Sequence, residues 1–282
     1  MSPQMSSGQN APRARELVGK VAIATGAGRR RGIGRATAVV LAEMGADVVI
    51  TGTGRDPATF PEDEKAVGWR DVDSVADEIR AAGSRALPLV VDVTDPDQVQ
   101  LMVDRVLAEF GRLDIMVNNA AAPFGPDRKP LLEVDPEVFR RVIEVKVGGT
   151  FTCCRLAAAQ MVKQGEGGRI INLSSVAGKR GMANTSAYNA ANFAVDGFTQ
   201  AIAKELAIHG ITANSVCPGL IETARMDPME QEARSARIAV NPMGRLGMDS
   251  EVAEVIGFLA SPRASYINGE AINVNGGDAT DR

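Results

Sequence analysis

A doubly wound α/β fold follows from three features of the sequence. Short apolar runs recur along the chain, helical periodicity fills the gaps between them, and a glycine-rich turn follows the first run. The first strand is expected over Val21 to Thr25, and the next two over Asp47 to Thr51 and Leu87 to Val91. The series continues with Leu113 to Val117, Arg169 to Leu173 and Thr212 to Val216, and Ala271 to Val274 closes it. Runs of this kind, bounded by turns, are strands buried on both faces, so the sheet should be parallel, with about seven strands and helices on both sides. The helices after the first two strands are read over Arg35 to Met44 and Val72 to Ala82. Between the second strand and its helix lies a long polar stretch, Gly52 to Asp71.

Neither an internal repeat nor a linker interrupts the pattern. One domain is expected from residue 17 to 282, behind a loose polar tail over residues 1 to 16. A net charge of -4 argues against nucleic acid or an anionic membrane as partner. No apolar run approaches the roughly 20 residues needed to span a bilayer. Cys153, Cys154 and Cys217 have neither metal nor redox spacing, so no metal is expected and a reduced, cytoplasmic setting is.

Thr25 to Gly34 joins the first strand to the first helix as Thr-Gly-Ala-Gly-Arg-Arg-Arg-Gly-Ile-Gly. Glycines let the backbone approach a pyrophosphate, and a helix N-terminus supplies free N–H groups. A tight strand-to-helix turn is the plain alternative. Downstream, Ser175 is followed thirteen residues later by Tyr188, and Asn192 stands one helical turn after the tyrosine.

These segments resemble the short-chain dehydrogenase/reductase family along nearly the whole of residues 17 to 277, which implies a Rossmann scaffold. Gly26, Gly32, Ile33 and Gly34 match the family's glycine loop, here with two extra residues. The resemblance places Asp92 and Val93 at the adenine and Asn119 and Ala120 along the cofactor. It places Gly219, after the sixth strand, at the cofactor and Ile221 and Thr223 at the carboxamide. The second strand ends without an acid, and Arg31 and Arg55 stand nearby. A carboxylate there holds the ribose diol of NAD, whereas arginines suit the 2'-phosphate. NADP(H) is therefore preferred and NAD(H) not excluded; the other reading of Arg29 to Arg31 is a solvated surface cluster.

The resemblance assigns Tyr188 as acid/base and Ser175 as the residue that holds the substrate oxygen. It also exposes a departure: the family has lysine where Asn192 stands, and asparagine where Lys146 stands. A free tyrosine titrates near 10, so activity near neutrality needs a shift worth roughly 4 kcal/mol. An ammonium about 4 Å away supplies that order of energy, whereas a neutral hydrogen bond offers only ~0.5–1.5 kcal/mol. An exchanged pair, with Lys146 as the cation and Asn192 as the amide, is the sharp expectation. The plain one is that Lys146 points elsewhere and Asn192 weakens the site, as a natural or an introduced change.

The function expected is hydride transfer between NADP(H) and a small carbonyl or secondary-alcohol substrate. A catalytically weakened NADP(H)-binding protein, or a lyase or isomerase on the same scaffold, is the alternative. The resemblance also implies a homotetramer built through helices near Glu137 to Lys163 and Ala187 to His209, and a substrate lid over Leu220 to Met243. Phe124 and Met182 are candidates for the facing wall.

Overall fold

The structure is a computed structural model that describes residues 13–280. Its main sheet contains β1 (Val21–Ala24), β2 (Asp47–Gly52), β3 (Ala86–Val90), β4 (Ile115–Asn118), β5 (Gly168–Leu173), β6 (Ile211–Pro218) and β9 (Ala271–Val274). The order is β3-β2-β1-β4-β5-β6-β9, and all neighbours run parallel. The chain winds outward from β1 to β3 and then returns to the other side of β1. That reversal opens a crevice at the C-terminal ends of β1 and β4, where open α/β sheets bind ligands.

All four residues of β1 are buried, as a strand covered on both faces must be. Helices α1 (Ile33–Glu43), α3 (Val72–Ala81) and α9 (Asp249–Ala260) cover one face, through Val40, Leu41, Ile79 and Ile256. Helices α4 (Pro96–Phe110), α6 (Gly149–Gln164) and α7 (Ser186–Leu206) cover the other, through Val103, Met161 and Ala191. Each fully buried Leu, Ile or Val contributes about 1.5–3 kcal/mol. Gly257 of α9 has no side chain for a reason: a Cβ there would meet Met44 Sδ and Val40 Cγ1 at 2.9 Å. Helix α4 starts where Asp95 accepts hydrogen bonds from the N–H groups of Asp97 and Gln98, with Pro96 at its first position. It stops at Gly111, whose φ of 77° is the left-handed conformation glycine tolerates.

Several expectations need correction. The strand read over Leu113 to Val117 begins at Ile115, because the Asp114 carboxylate turns back to accept the Val21 N–H at 3.0 Å and to pair with Arg112 and Lys20. A second, two-stranded sheet pairs β7 (Ile221–Glu222) with β8 (Gly247–Met248), and brackets the helix α8 (Gln231–Val240) within the lid region. The helix expected over Glu137 to Lys163 is α5 (Pro136–Ile143) running into α6 through one wide π turn, Glu144–Gly148. Most of the tail expected to be loose lies outside the described residues. Its last part is tied down: Arg13 pairs with Glu43 and Glu254, and Glu16 pairs with Arg263. Finally, the polar stretch after β2 is not a plain loop. It contains α2 (Glu62–Lys65) and folds back onto the glycine-rich turn.

Candidate active site

The crevice is a single large cleft of about 1120 Å³. Its upper part is the glycine-rich turn. Gly26 has a φ of 65°, and a Cβ on it would lie 2.9 Å from Ala120 Cα. A Cβ on Gly34 would meet Asn119 Nδ2 at 2.5 Å and the Gly26 carbonyl at 2.7 Å. Asn119 clamps the turn by donating to the carbonyls of Thr25 and Gly26, both at 2.9 Å. Thr25 Oγ1 accepts from the backbone N–H of Asn119 and of Ala120. At the start of α1 the Gly32 N–H donates to the Asp249 carboxylate at 3.1 Å, while no side chain caps the N–H groups of the first turn that follow and no acid lies within that turn. A bare-backbone cradle leading into first-turn N–H groups without a side-chain cap fits the pyrophosphate of a dinucleotide. Asp92, Val93, Gly219, Ile221 and Thr223 line the same cleft.

The structure changes the meaning of the basic residues at its edge. Arg31 pairs with Asp63 at 3.0 Å and with Asp227 at 2.6 Å. Arg55 is held by Glu64 at 2.9 Å and by Asp71 at 3.0 Å. Both acids on Arg55 come from the stretch after β2, and Glu64 is 1% exposed. Asp71 adopts a positive φ of 53°, rare for a residue with a side chain. That conformation puts its carboxylate between the turn and β2: a Cβ on Gly28 would lie 1.7 Å from Asp71 Oδ1, and one on Gly52 would lie 3.3 Å from Oδ2. Trp69 completes the clasp by donating to the Gly28 carbonyl at 2.7 Å. Arg29 also lines the cleft and has no ion pair or hydrogen bond among the described residues. Its pKa is lowered, by desolvation first and by the nearby Arg55 charge next.

In the lower part, Ser175, Tyr188 and Lys146 share the cleft wall; Asn192 does not line it. Ser175 begins a 3₁₀ turn, and its Oγ accepts from the Ala177 N–H at 3.2 Å. Lys146 sits in the wide π turn between α5 and α6, is 5% exposed, and makes no hydrogen bond among the described residues. Such turns bulge a helix and re-aim a side chain. Burial lowers the Lys146 pKa to about 8; the Arg225 charge adds to this, and Asp196 and Cys217 oppose it. Asn192 is fully buried. Its Nδ2 donates to the Tyr188 carbonyl at 2.8 Å, and its Oδ1 has no partner.

Two cations missing from the sequence reading stand at the tyrosine. The Arg128 guanidinium lies 3.9 Å from the centre of the Tyr188 ring, and that of Arg225 lies 5.7 Å away. Tyr188 acts on the Arg128 charge, electrostatically and through a side-chain hydrogen bond, whereas it is not among the groups acting on Lys146. Nothing in the Asp-Arg-Lys run at 127 to 129 announces such a role. Arg225 had a weak signal, two residues after Thr223. Phe124 and Met182 line the cleft, as do Met226 and Met229 of the lid region; Met243 is 60% exposed and does not. The three cysteines are buried thiols.

A family model described as enoyl-(acyl carrier protein) reductase matches residues 26–278. The chain is a short-chain dehydrogenase/reductase. It is 41% identical over 258 residues to cis-4-hydroxycyclohexanecarboxylate dehydrogenase of Sinomonas cyclohexanicum, across 92% of this chain and 96% of that one. A 3-oxoacyl-(acyl-carrier-protein) reductase of Vibrio cholerae is 38% identical over 262 residues, across 93% and 98%. The crystal structure of levodione reductase superposes with a TM-score of 0.81 at 31% identity, covering 93% of this chain and 98% of that chain. As a member of this family the chain is an oxidoreductase that uses a nicotinamide cofactor on small-molecule substrates. No helix among the described residues is long and apolar enough to cross a membrane.

Proposed function

We propose that the chain transfers a hydride between NADP(H) and the carbonyl or carbinol carbon of a small substrate. The observation that carries this reading is that Ser175, Tyr188 and Lys146 open into the same cleft as the glycine-rich cradle. The dinucleotide, when bound, supplies or accepts the hydride. Tyr188 exchanges the hydroxyl proton, Ser175 holds the substrate oxygen, and Lys146 provides positive charge from the adjoining turn. Asn192 keeps its amide on the helix behind Tyr188. The exchange of lysine and asparagine is supported by the burial of both residues and by the packing of α7 on the turn that carries Lys146, since an ammonium is desolvated at a cost only where its charge is used or compensated.

For the 2'-phosphate, Arg29 is the cation free to pair, whereas Arg31 and Arg55 already hold carboxylates. One observation favours NAD(H) as the second reading: Asp71 sets a carboxylate beside the end of β2, where a ribose diol would be held. A homotetramer cytoplasmic enzyme completes the proposal. Phe151 and Phe193, 50% and 47% exposed on α6 and α7, support assembly through those helices.

The names of two relatives, a cis-4-hydroxycyclohexanecarboxylate dehydrogenase and a 3-oxoacyl-(acyl-carrier-protein) reductase, support the choice of cyclic and 3-oxoacyl substrates for testing. The test is absorbance at the nicotinamide band with NADPH and NADH against cyclic oxo acids, neutral cyclic ketones and 3-oxoacyl thioesters. Turnover of ketones supports hydride transfer. Tight NADPH binding with no turnover across the panel overturns it in favour of a binding protein.

A further inference from the structure

The wall facing Tyr188 carries more positive charge than a neutral ketone can use. Arg225 sits on the 3₁₀ turn Ala224–Met226, which the Ala224 N–H fixes to the Arg31 carbonyl at 3.1 Å. Its Nη1 donates to the Ala122 carbonyl at 2.7 Å, and it has no carboxylate partner among the described residues. Arg128 has its own neighbour Asp127 at 3.4 Å, but that contact lacks hydrogen-bond geometry, and Arg128 Nε is buried without a partner. Both guanidiniums also approach the Phe124 ring, at 5.1 and 5.9 Å. Burial depresses the Arg128 pKa, and the Arg225 charge adds to the effect. Two such cations facing one cleft call for an anion between them.

Resting on the hydride-transfer reading, we infer that the substrate bears a free carboxylate that Arg128 and Arg225 clamp beside Tyr188, on a skeleton small enough to lie against Phe124. The substrate class is thus a small oxo or hydroxy carboxylic acid and not a neutral ketone or a thioester. Arginine forks suit carboxylates because two parallel N–H groups meet two oxygens. The geometry also explains why the cations stay near an aromatic pair, whose ring faces partly compensate them between turnovers.

The experiment compares 4-oxocyclohexanecarboxylate with its methyl ester under saturating cofactor, as a ratio of kcat/KM. The wild type should favour the acid by roughly 10- to 100-fold, the size of a charge-assisted pair. Arg225→Met and Arg128→Met should each collapse the ratio towards one, mainly through the acid's KM; Arg225→Lys should retain part of it. A wild-type ratio near one overturns the inference, as does a ratio that survives both substitutions. The anion could instead be a cofactor phosphate. Titration of NADPH and NADH would show this as a loss of dinucleotide affinity in Arg225→Met with the acid-to-ester ratio unchanged, which also overturns it. Calorimetric titration of unreactive cyclohexanecarboxylate into the cofactor complex separates the two readings. Arginine-dependent binding without turnover of any ketone would sink hydride transfer and keep the anion site. Equal turnover of acid and ester without such binding would do the reverse.

Discussion

The Asn192 carboxamide donates to the backbone carbonyl of Tyr188 at 2.8 Å, so the amide one turn after the tyrosine bonds along its own helix instead of entering the cleft. Its oxygen is left buried and unpaired, at a cost of about 1–3 kcal/mol. The helix face that would carry a cation behind the tyrosine therefore carries a neutral, half-satisfied group. Lys146 reaches the cleft from the π turn, which packs on α7.

If Lys146 supplies the charge for Tyr188, Lys146→Met should lower kcat by about 100-fold or more, roughly 2.7 kcal/mol in the barrier. Lys146→Asn combined with Asn192→Lys should restore activity, and the cycle should be strongly non-additive. Steady-state kinetics on the four proteins decides the matter. An inactive wild type rescued by Asn192→Lys alone would identify Asn192 as the lesion and Lys146 as a bystander.

Stability should reveal the buried lysine through pH. Burial lowers its pKa to about 8, while an unfolded lysine titrates near 10.4. Between those values the unfolded chain holds the proton and the folded chain has lost it, so unfolding becomes less favourable as pH rises; below about 8 both states are protonated and the penalty is constant. Denaturant titrations should show the wild type gaining about 2–3 kcal/mol on Lys146→Met between pH 8 and 10.5. A flat difference across that window would contradict a buried, desolvated ammonium. If the charge is catalytic, kcat should fall over the same rise through about 8.

The arginines of the adenosine end should separate into two kinds. Arg55→Ala strips the partner from Glu64, which is 1% exposed, and should destabilise the fold by about 2–3 kcal/mol. Arg29→Ala should leave stability unchanged and weaken NADPH binding by roughly 1.5–3 kcal/mol, with little effect on NADH. Emission from Trp69, the chain's one tryptophan, reports binding because its indole is bonded to the Gly28 carbonyl. Equal affinity for both dinucleotides in the wild type, or preference for NADH that Asp71→Asn abolishes, would establish the second cofactor reading.

Assembly through α6 and α7 is tested by light scattering. The wild type should have the mass of four chains at micromolar concentration, and Phe151→Glu with Phe193→Glu should reduce it, since charges replace apolar contact area. A monomeric wild type would refute the tetramer.

The succession of strands and helices along the chain, and a sheet covered on both faces, were determined by the sequence alone, because apolar period and turn chemistry are local. Val21 to Ala24 reads as a covered strand without knowledge of its neighbours, and Gly26 and Gly34 announce a turn that a side chain would block. Ser175 and Tyr188 were read through the resemblance of their segments to the family, and both line the cleft. The partners of charged groups were not legible. Arg55 looked like a phosphate ligand until the chain after β2 folded back and set Glu64 and Asp71 against it, contacts that cross sequence separations of nine and sixteen residues. Arg128 and Arg225 reach Tyr188 from loops far apart in the chain, and the turn that aims Lys146 is a deviation from helical regularity with no periodic signature. Charge has no periodicity along the chain; its meaning is set by what lies within a few ångströms in space, and only the tertiary structure decides that.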